Sequence, residues 1–467
     1  MRHNELAIGW RVDTTGWRTG QCGPRRALHV TAMLAAMAIA TPAWAASLTW
    51  DSVSGTSAVQ DGSGNWNTTT ANWWNGSSNV TWSNATPDTA TFGVAGGATR
   101  GTITLTEGIT VGNMTFNDAS PTSTYYTITG GTLTLAGTPT ISSANGPGGT
   151  AQTTTFSTVL AGSGFNLSRG SITINTNNNT FDGPIGFTAT DLSINFTSVG
   201  NVGGGPSSLG SPSNATNGTI SVKEGAGLVY WNSTNNSTTD RAIAYTGGDK
   251  NNVGSGNWWT FPTIYQRSAS GTLTWNGNFS AVNNVAFGLA GENATASNAV
   301  FGGVIGDATG VGKTTKLFKA HAGTWSLTGA NTYEGGTDLI QGELRVGNGG
   351  TTGALGSGTV TFVNASTLAF NRSNAMTVSN VITGNGTIKQ MGSGLTSLTA
   401  ANTYTGATTI DSGTLQIGGG GTAGSLGTGS TISGSSGGTL AFNRSDTLTQ
   451  GTHFNSVIGG SIGVAQV

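Results

Sequence analysis

The sequence predicts an all-β chain whose short strands wind into a β-solenoid built from repeats. Three observations support this fold class: one stretch recurs in register 71 residues later, apolar residues alternate with Thr, Ser and Asn, and 77 glycines mark frequent turns. A unit of two short strands cannot bury its apolar edge alone, whereas a stack of such units covers that edge. The charged fraction of 8% argues against an ordinary globular domain, and the hydrophobic content of 35% is low for a compact core but suits a thin stack.

Residues 1–45 predict a secretory signal peptide with a long n-region. The basic pair Arg25-Arg26 precedes an apolar run that ends in Ala43-Trp44-Ala45. Small residues at the first and third of these positions fit a signal-peptidase site, so we expect cleavage between Ala45 and Ala46. The run is too short for a membrane span. The basic pair is compatible with a twin-arginine signal and with the general secretory route, and we favour the general route.

The residues that follow carry little charge and no cysteine. The single cysteine, Cys22, lies in the signal peptide, so we expect no disulfide in the exported protein. Thirteen basic and seventeen acidic residues remain after cleavage, and this small negative balance gives no support to nucleic-acid binding. Low net charge with frequent Thr, Ile and Val argues against intrinsic disorder.

Residues 46–95 predict a Trp-rich N-terminal cap of the solenoid. Bulky aromatic side chains cover the open end of a stack efficiently. A platform on which sugars stack is the functional alternative. The five tryptophans of this segment are Trp50, Trp66, Trp73, Trp74 and Trp82.

Residues 96–321 predict degenerate solenoid turns with an irregular excursion near 231–299. A weak copy of the later repeat begins at Asn179-Thr180-Phe181, which is similar to Asn331-Thr332-Tyr333. The excursion contains Trp258, Trp259 and Tyr265.

Residues 322–467 predict two β-strand repeats of 71–76 residues, the second cut short. In each copy, apolar residues two positions apart place their side chains on one face of a strand. The repeat signature comprises Asn331, Thr332, Tyr333, Gly335, Leu344 and Val346 in the first copy, and Asn402, Thr403, Tyr404, Gly406, Leu415 and Ile417 in the second.

The shared pattern N-T-Y-x-G-x-T-x-I-x-x-G-x-L-x-V/I-G resembles the autotransporter-associated β-strand repeat of bacterial secreted passenger domains. The resemblance implies a right-handed parallel β-helix, exported to the surface or outer membrane of a Gram-negative-type bacterium or released from it. Members of the family are generally exported through a C-terminal outer-membrane β-barrel, and we expect this translocator to be a partner outside the chain. Their equivalent positions in the repeat predict that Asn331 and Asn402 lie on one face, as do Asn371 and Asn443, and in the family stacked asparagine side chains can form hydrogen-bonded ladders.

The sequence predicts no catalytic, cofactor-binding or metal-binding residue. The stretch Gly306–Thr314 is similar to a phosphate-binding loop, but Asp307 replaces a required glycine and no helical pattern follows. Only two histidines, His321 and His453, follow the signal peptide, which leaves few candidates for a general base or a zinc site.

We therefore predict a non-catalytic stalk for adhesion, facing host, neighbouring-cell or extracellular polysaccharide surfaces, without a cofactor. The alternative is a β-helical polysaccharide lyase or glycosidase, which needs clustered charged side chains on one face. Glu334, Asp338 and Glu343 lie in one predicted turn of the solenoid, but we interpret them as surface charge. Three arginines are interpreted as solvated turn residues: Arg345, Arg372 and Arg444.

Overall fold

The computed structural model describes residues 45–56, 58–94, 100–117, 125–143, 153–231, 234–250, 260–268, 270–292, 298–427, 431–451, 454 and 457–467. Several predictions fall on residues outside these ranges. These are the signal peptide before Ala45, with its Ala43, and also Trp258, Trp259 and His453.

Short strands make up almost all the regular structure of the described residues. In chain order they begin with β1 (Ser47–Trp50), β2 (Gly64–Trp66), β3 (Trp73–Trp74), β4 (Asn79–Val80), β5 (Thr89–Phe92), β6 (Thr102–Leu105), β7 (Ile109–Val111), β8 (Met114–Phe116), β9 (Thr127–Leu135), β10 (Thr140–Ser143), β11 (Thr154–Gly162), β12 (Phe165–Arg169), β13 (Ser171–Ile174), β14 (Ile185–Phe187) and β15 (Ser193–Phe196). One helical turn, α1 (Ala215–Gly218), is followed by β16 (Ile220–Val222), β17 (Gly227–Tyr230), β18 (Ser237–Thr239), β19 (Ile243–Tyr245), β20 (Thr263–Gln266), β21 (Leu273–Trp275), β22 (Phe279–Ala281), β23 (Val285–Gly291), β24 (Asn298–Phe301), β25 (Thr315–Ala320), β26 (Thr324–Leu327) and β27 (Thr337–Leu339). The remaining strands are β28 (Gly342–Val346), β29 (Val360–Phe362), β30 (Ser366–Phe370), β31 (Met376–Val378), β32 (Ile382–Gly384), β33 (Thr387–Gln390), β34 (Leu395–Leu398), β35 (Thr408–Ile410), β36 (Gly413–Ile417), β37 (Ile432–Gly434), β38 (Gly438–Phe442) and β39 (Gly463–Gln466).

These strands form long sheets in which neighbouring strands come from successive turns of the chain. The 14-stranded sheet runs β2-β6-β9-β11-β13-β15-β17-β20-β23-β25-β27-β29-β32, with β7 also paired to β9. An 11-stranded sheet runs β4-β3-β1-β5-β8-β10-β12-β14-β16-β19-β22, a 9-stranded sheet runs β18-β21-β24-β26-β28-β30-β33-β35-β37, and a 5-stranded sheet runs β31-β34-β36-β38-β39. Antiparallel pairing of the described strands is confined to β1 with β3 and β3 with β4. The parallel stacks confirm the predicted β-solenoid.

Apolar side chains are stacked in register from turn to turn. Leu344 lies opposite Leu368, which lies opposite Ile388, and all three are fully buried. Val346 is aligned in the same way with Phe370. Because each turn contributes a few such side chains, one continuous hydrophobic core runs along the stack. Within the described residues, no helix is both long enough and apolar enough to span a membrane.

Four tryptophans of the segment 46–95 form a buried cluster where the two antiparallel strand pairs occur. Trp73 is the centre of the cluster, with ring centroids 5.4 Å from Trp50, 4.9 Å from Trp66 and 4.7 Å from Trp82. All four are at most 2% exposed, whereas Trp74 is half-buried. A sugar platform needs accessible rings, so these buried four cannot supply one. Their role as a cap stays a prediction.

Candidate functional site: the repeat signature and a charged aromatic row

The signature asparagine of the first repeat joins three successive turns. The Asn331 carboxamide accepts a hydrogen bond from the Ile305 backbone N–H at 2.8 Å and donates one to the Ala354 carbonyl at 2.8 Å. The residue is only 6% exposed, so both bonds are shielded from water. One side chain therefore fixes the backbone of the turn before it and of the turn after it.

The same bridge occurs in the second repeat and in the degenerate copy. Asn402 accepts from Ile382 N–H at 2.9 Å and donates to the Ser425 carbonyl at 2.8 Å. Asn179 accepts from the N–H of a leucine at 2.8 Å and donates to the carbonyl of a serine at 2.9 Å; these residues are Leu160 and Ser208. The expected ladder of stacked amides is therefore wrong for Asn331 and Asn402, because three turns separate them and the backbone supplies their partners.

The signature tyrosines are buried and bonded to a threonine four residues later. The Tyr333 and Thr337 hydroxyls are 2.7 Å apart, and the Tyr404 and Thr408 hydroxyls are also 2.7 Å apart. Burial raises the pKa of both tyrosines to about 12. The degenerate copy changes both partners at once. There, Phe181 replaces the tyrosine and Ile185 replaces the threonine, so no hydroxyl is left without a partner.

The other signature residues shape the backbone or fill the core. A side chain at Gly335 or at Gly406 would place its Cβ 2.4 Å or 2.1 Å from a backbone oxygen of the preceding turn, so only glycine fits. Thr332 and Thr403 are exposed and are held through their backbone N–H groups. The remaining four are buried: Leu344, Val346, Leu415 and Ile417. Of the cleavage residues, Ala45 and Ala46 are exposed.

A buried lysine occupies one turn of the first repeat. Lys319 donates to the carbonyl oxygens of Ala320 at 2.9 Å, His321 at 2.7 Å and Gln341 at 2.9 Å. Its side chain is fully buried, and burial lowers its pKa to about 7. Sequence reasoning missed this residue, since a lone lysine within a strand usually extends to solvent.

Four side chains form what we call the charged aromatic row. Each directly follows one of four strands that are consecutive neighbours in the 14-stranded sheet: Trp231 after β17, Arg267 after β20, Glu292 after β23 and His321 after β25. The sheet hydrogen bonding continues through the first three of them. The backbone N–H groups of Trp231, Arg267 and Glu292 donate to carbonyl oxygens of the preceding turn at 2.8 Å, 2.9 Å and 3.2 Å. The row therefore runs along the stack, with one side chain from each turn.

Direct contacts connect Trp231, Arg267 and Glu292, and the Tyr265 side chain connects Glu292 to His321. The Arg267 guanidinium lies 4.8 Å from the centre of the Trp231 ring and forms a 2.8 Å ion pair with Glu292. The Tyr265 hydroxyl donates to the other carboxylate oxygen at 3.0 Å and lies 3.4 Å from the ring nitrogens of His321. Burial lowers the pKa of His321 and raises that of Tyr265, so both are neutral at pH 7.

The acidic side chains of the first repeat have separate partners and are not gathered into one site. Asp338 pairs with Lys316 at 2.7 Å, and Glu343 pairs with Arg345. The carboxylate of Asp307, within the glycine-rich stretch, accepts from two backbone N–H groups, each at 2.9 Å. Among the described residues, no group of three His, Cys, Asp or Glu side chains is placed to hold a metal ion.

The interpretation of three arginines as solvated turn residues needs correction. Arg345 lies in strand β28 rather than in a turn. Arg372 is not simply solvated, because it donates to the Gly353 carbonyl at 2.9 Å; Arg444 makes the equivalent bond to Gly424. Each guanidinium therefore stabilises the glycine-rich loop of the preceding turn, because it forms a charge-assisted hydrogen bond with a carbonyl of that loop.

Beside the signature asparagine lies a polar groove of about 490 Å³. Its lining includes Glu334 and Arg372, with several hydroxyl and amide side chains. It therefore presents one carboxylate, whereas glycosidases use a pair.

The repeats of this chain match a known family. A family profile of the passenger-associated-transport-repeat matches residues 317–346 and 390–417, which include Lys319, Asn331, Tyr333 and their counterparts. The adhesin BmaC autotransporter of Brucella suis biovar 1 (strain 1330) is 36% identical over 233 residues, which are 48% of this chain and 6% of that protein. The chain thus spans a small fraction of that relative's length. No solved structure matches significantly. The chain therefore carries two passenger-associated-transport repeats and is similar to part of an autotransporter adhesin, which supports an autotransporter passenger protein.

Proposed function

We propose that the chain is an exported, non-catalytic adhesive passenger whose solenoid displays side chains to other surfaces. The observation that carries this proposal is the continuous parallel stack bearing two passenger repeats, in a chain similar to an adhesin. A stack joined by in-register cores and buried asparagine bridges makes a stiff support, which holds surface groups at fixed spacing. The partners would be host cells, neighbouring cells or extracellular polysaccharide.

The distribution of charge supports a non-catalytic role. The ion pairs of the described residues are spread over many turns, from Lys313 with Asp249 to Arg444 with Asp446. A lyase or glycosidase would instead collect its acids and bases at one groove. We also propose that residues 46–95 cap the stack and that export removes residues 1–45.

Adhesion can be tested with beads coated with the purified full-length chain. We expect these beads to attach to epithelial cells, or to bacteria of the producing strain, more often than beads coated with albumin. Heat-unfolded protein on the beads is the matched control, because it keeps the composition and loses the display. Attachment equal to that of albumin beads for every surface would contradict the proposal. New reducing ends in polysaccharide incubated with the chain would favour the enzyme instead.

A further inference from the structure

We propose that the charged aromatic row binds a neutral polysaccharide chain. The inference rests on the proposed adhesive function and names the chemistry that one surface of the solenoid would recognise. The row combines a partly exposed indole, an ion pair fixed next to it and a neutral imidazole, all aligned along the stack.

The indole supplies a stacking face. Trp231 is 37% exposed, and it is the one aromatic among the large hydrophobic side chains that are exposed in the described chain. Its backbone is fixed to Phe196 and its ring is in contact with the Arg267 guanidinium, so the ring is held in place before a ligand arrives. The apolar C–H face of a pyranose packs on such a ring and loses little entropy in doing so.

The ion pair supplies hydrogen bonds without net charge. Arg267 and Glu292 present donors and acceptors side by side, and the Tyr265 hydroxyl fixes the carboxylate at 3.0 Å. Vicinal sugar hydroxyls are both donors and acceptors, so they match such a pair. An anionic ligand would have to compete with Glu292 for the guanidinium, and a cationic ligand with Arg267 for the carboxylate. The pair thus favours a neutral, hydroxyl-rich partner.

The spacing of the row fits a polymer. Successive strands of a sheet lie about 4.8 Å apart, and the row offers one side chain per strand. This step is comparable to the length of one sugar unit, so an extended glycan lying along the stack could meet successive members of the row. A peptide would bind differently, by pairing with a free strand edge. Here the strands before Arg267 and Glu292 already have a hydrogen-bonded neighbour on both sides, which disfavours a peptide.

Calorimetric titration of the purified full-length chain tests the proposal. The probes are cellohexaose, laminarihexaose and maltohexaose, with polygalacturonate as an anionic polymer. We expect at least one neutral hexaose to bind, with affinity falling about tenfold or more in Trp231→Ala and in Arg267→Ala, as loss of a stacking or charged contact predicts. Trp231→Phe should retain part of the affinity, because it keeps an aromatic face.

Lys389→Ala is the matched control, since it breaks an ion pair of similar exposure with Asp411, 3.0 Å long, on another sheet. It should bind as the unmodified chain does, and circular dichroism should show every variant folded. Lack of binding to all neutral probes, preference for polygalacturonate, or equal binding by a folded Trp231→Ala chain would overturn the proposal.

Bead adhesion separates this proposal from the general function. If beads adhere and no glycan binds, the row is not the site and the adhesive function stands. If a hexaose binds at the row and beads adhere to nothing, the site stands and the adhesive function fails.

Discussion

Lys319 and Gln390 occupy the same position in the two repeats, 71 residues apart, and each donates from a buried side chain to the carbonyl two residues ahead. The Lys319 bond to His321 is 2.7 Å long and the Gln390 bond to Gly392 is 2.8 Å. The glutamine carbonyl oxygen has no partner among the described residues, whereas the lysine nitrogen lies within hydrogen-bonding distance of three carbonyl oxygens. The turn therefore requires a buried donor, and the two repeats meet this requirement with different chemistry.

The lysine should make stability depend on pH. The pKa of Lys319 is about 7 in the folded chain and about 10.4 when unfolded. Above the higher pKa, the Lys319 side chain is neutral in both the folded and the unfolded chain, so it does not change the free energy of unfolding. As the pH falls from there towards 7, the unfolded state takes up the proton first, so stability decreases; below 7 it levels off. Between pH 9.5 and 7.5 the free energy of unfolding should fall by about 2 kcal/mol.

Urea unfolding at several pH values within that window measures this loss. In Lys319→Gln, which introduces the side chain of the second repeat, the decrease should disappear, while Lys316→Gln, in the same strand, should keep it. The same slope in Lys319→Gln and in the unmodified chain would show that another group is responsible.

The buried tyrosine and threonine hydroxyls should behave as a pair. Tyr333→Phe leaves the Thr337 hydroxyl buried without its partner, and we expect a loss of about 1–2 kcal/mol in the free energy of unfolding. Adding Thr337→Val removes that orphaned group, so the double variant should recover most of the loss. The degenerate copy already contains this solution in Phe181 and Ile185.

A double-mutant cycle by chemical denaturation gives the coupling energy. The cycle on Tyr404 and Thr408 serves as an internal replicate, because the distance between hydroxyls is the same. Additive losses in both cycles would mean that the hydroxyl contact contributes nothing.

Loss of the Asn331 bridge should loosen the turn before this residue and the turn after it. Asn331→Ala removes a bond to Ile305 and another to Ala354, and we expect a cost of about 2 kcal/mol. Hydrogen exchange should accelerate at the Ile305 amide. Thr332→Ala, at the exposed neighbouring residue, is the control and should exchange as the unmodified chain does. Unchanged protection of Ile305 in Asn331→Ala would argue against the bridge.

The solenoid was predictable from sequence, whereas the charged aromatic row was not. Leu344 and Val346 show the strand pattern directly, because burial on one face requires apolar residues two positions apart. The row has no such period. Trp231, Arg267 and Glu292 stand in adjacent turns, yet 36 and 25 residues separate them, because the loops between the strands differ in length. Only the strand pairing brings them together. The partners of Asn331 were hidden for the same reason, since backbone groups carry no signature in the sequence.

Signal-peptide cleavage should create a new ion pair at the start of the first strand. The Ala46 backbone N–H donates to the Asp88 carboxylate at 2.7 Å, and Asp88 is 5% exposed. Cleavage between Ala45 and Ala46 would turn this amide into an ammonium next to a largely buried carboxylate, and a charge-assisted bond is stronger than a neutral one. The processed chain should therefore hold strand β1 more firmly than the unprocessed chain.

Hydrogen exchange of β1 in the processed and unprocessed chains measures this difference. Exchange at Leu48 should be slower after processing, and Asp88→Asn should remove most of the difference because an amide carries no charge to pair with the ammonium. Acylation of the new amino terminus by a succinimidyl ester should also be faster in Asp88→Asn. Asp182→Asn, at a carboxylate that accepts bonds in a distant loop, controls for general loosening. If Asp88→Asn changed neither exchange nor acylation, the ammonium would be free in solvent and the strand would be fixed by its sheet partners alone.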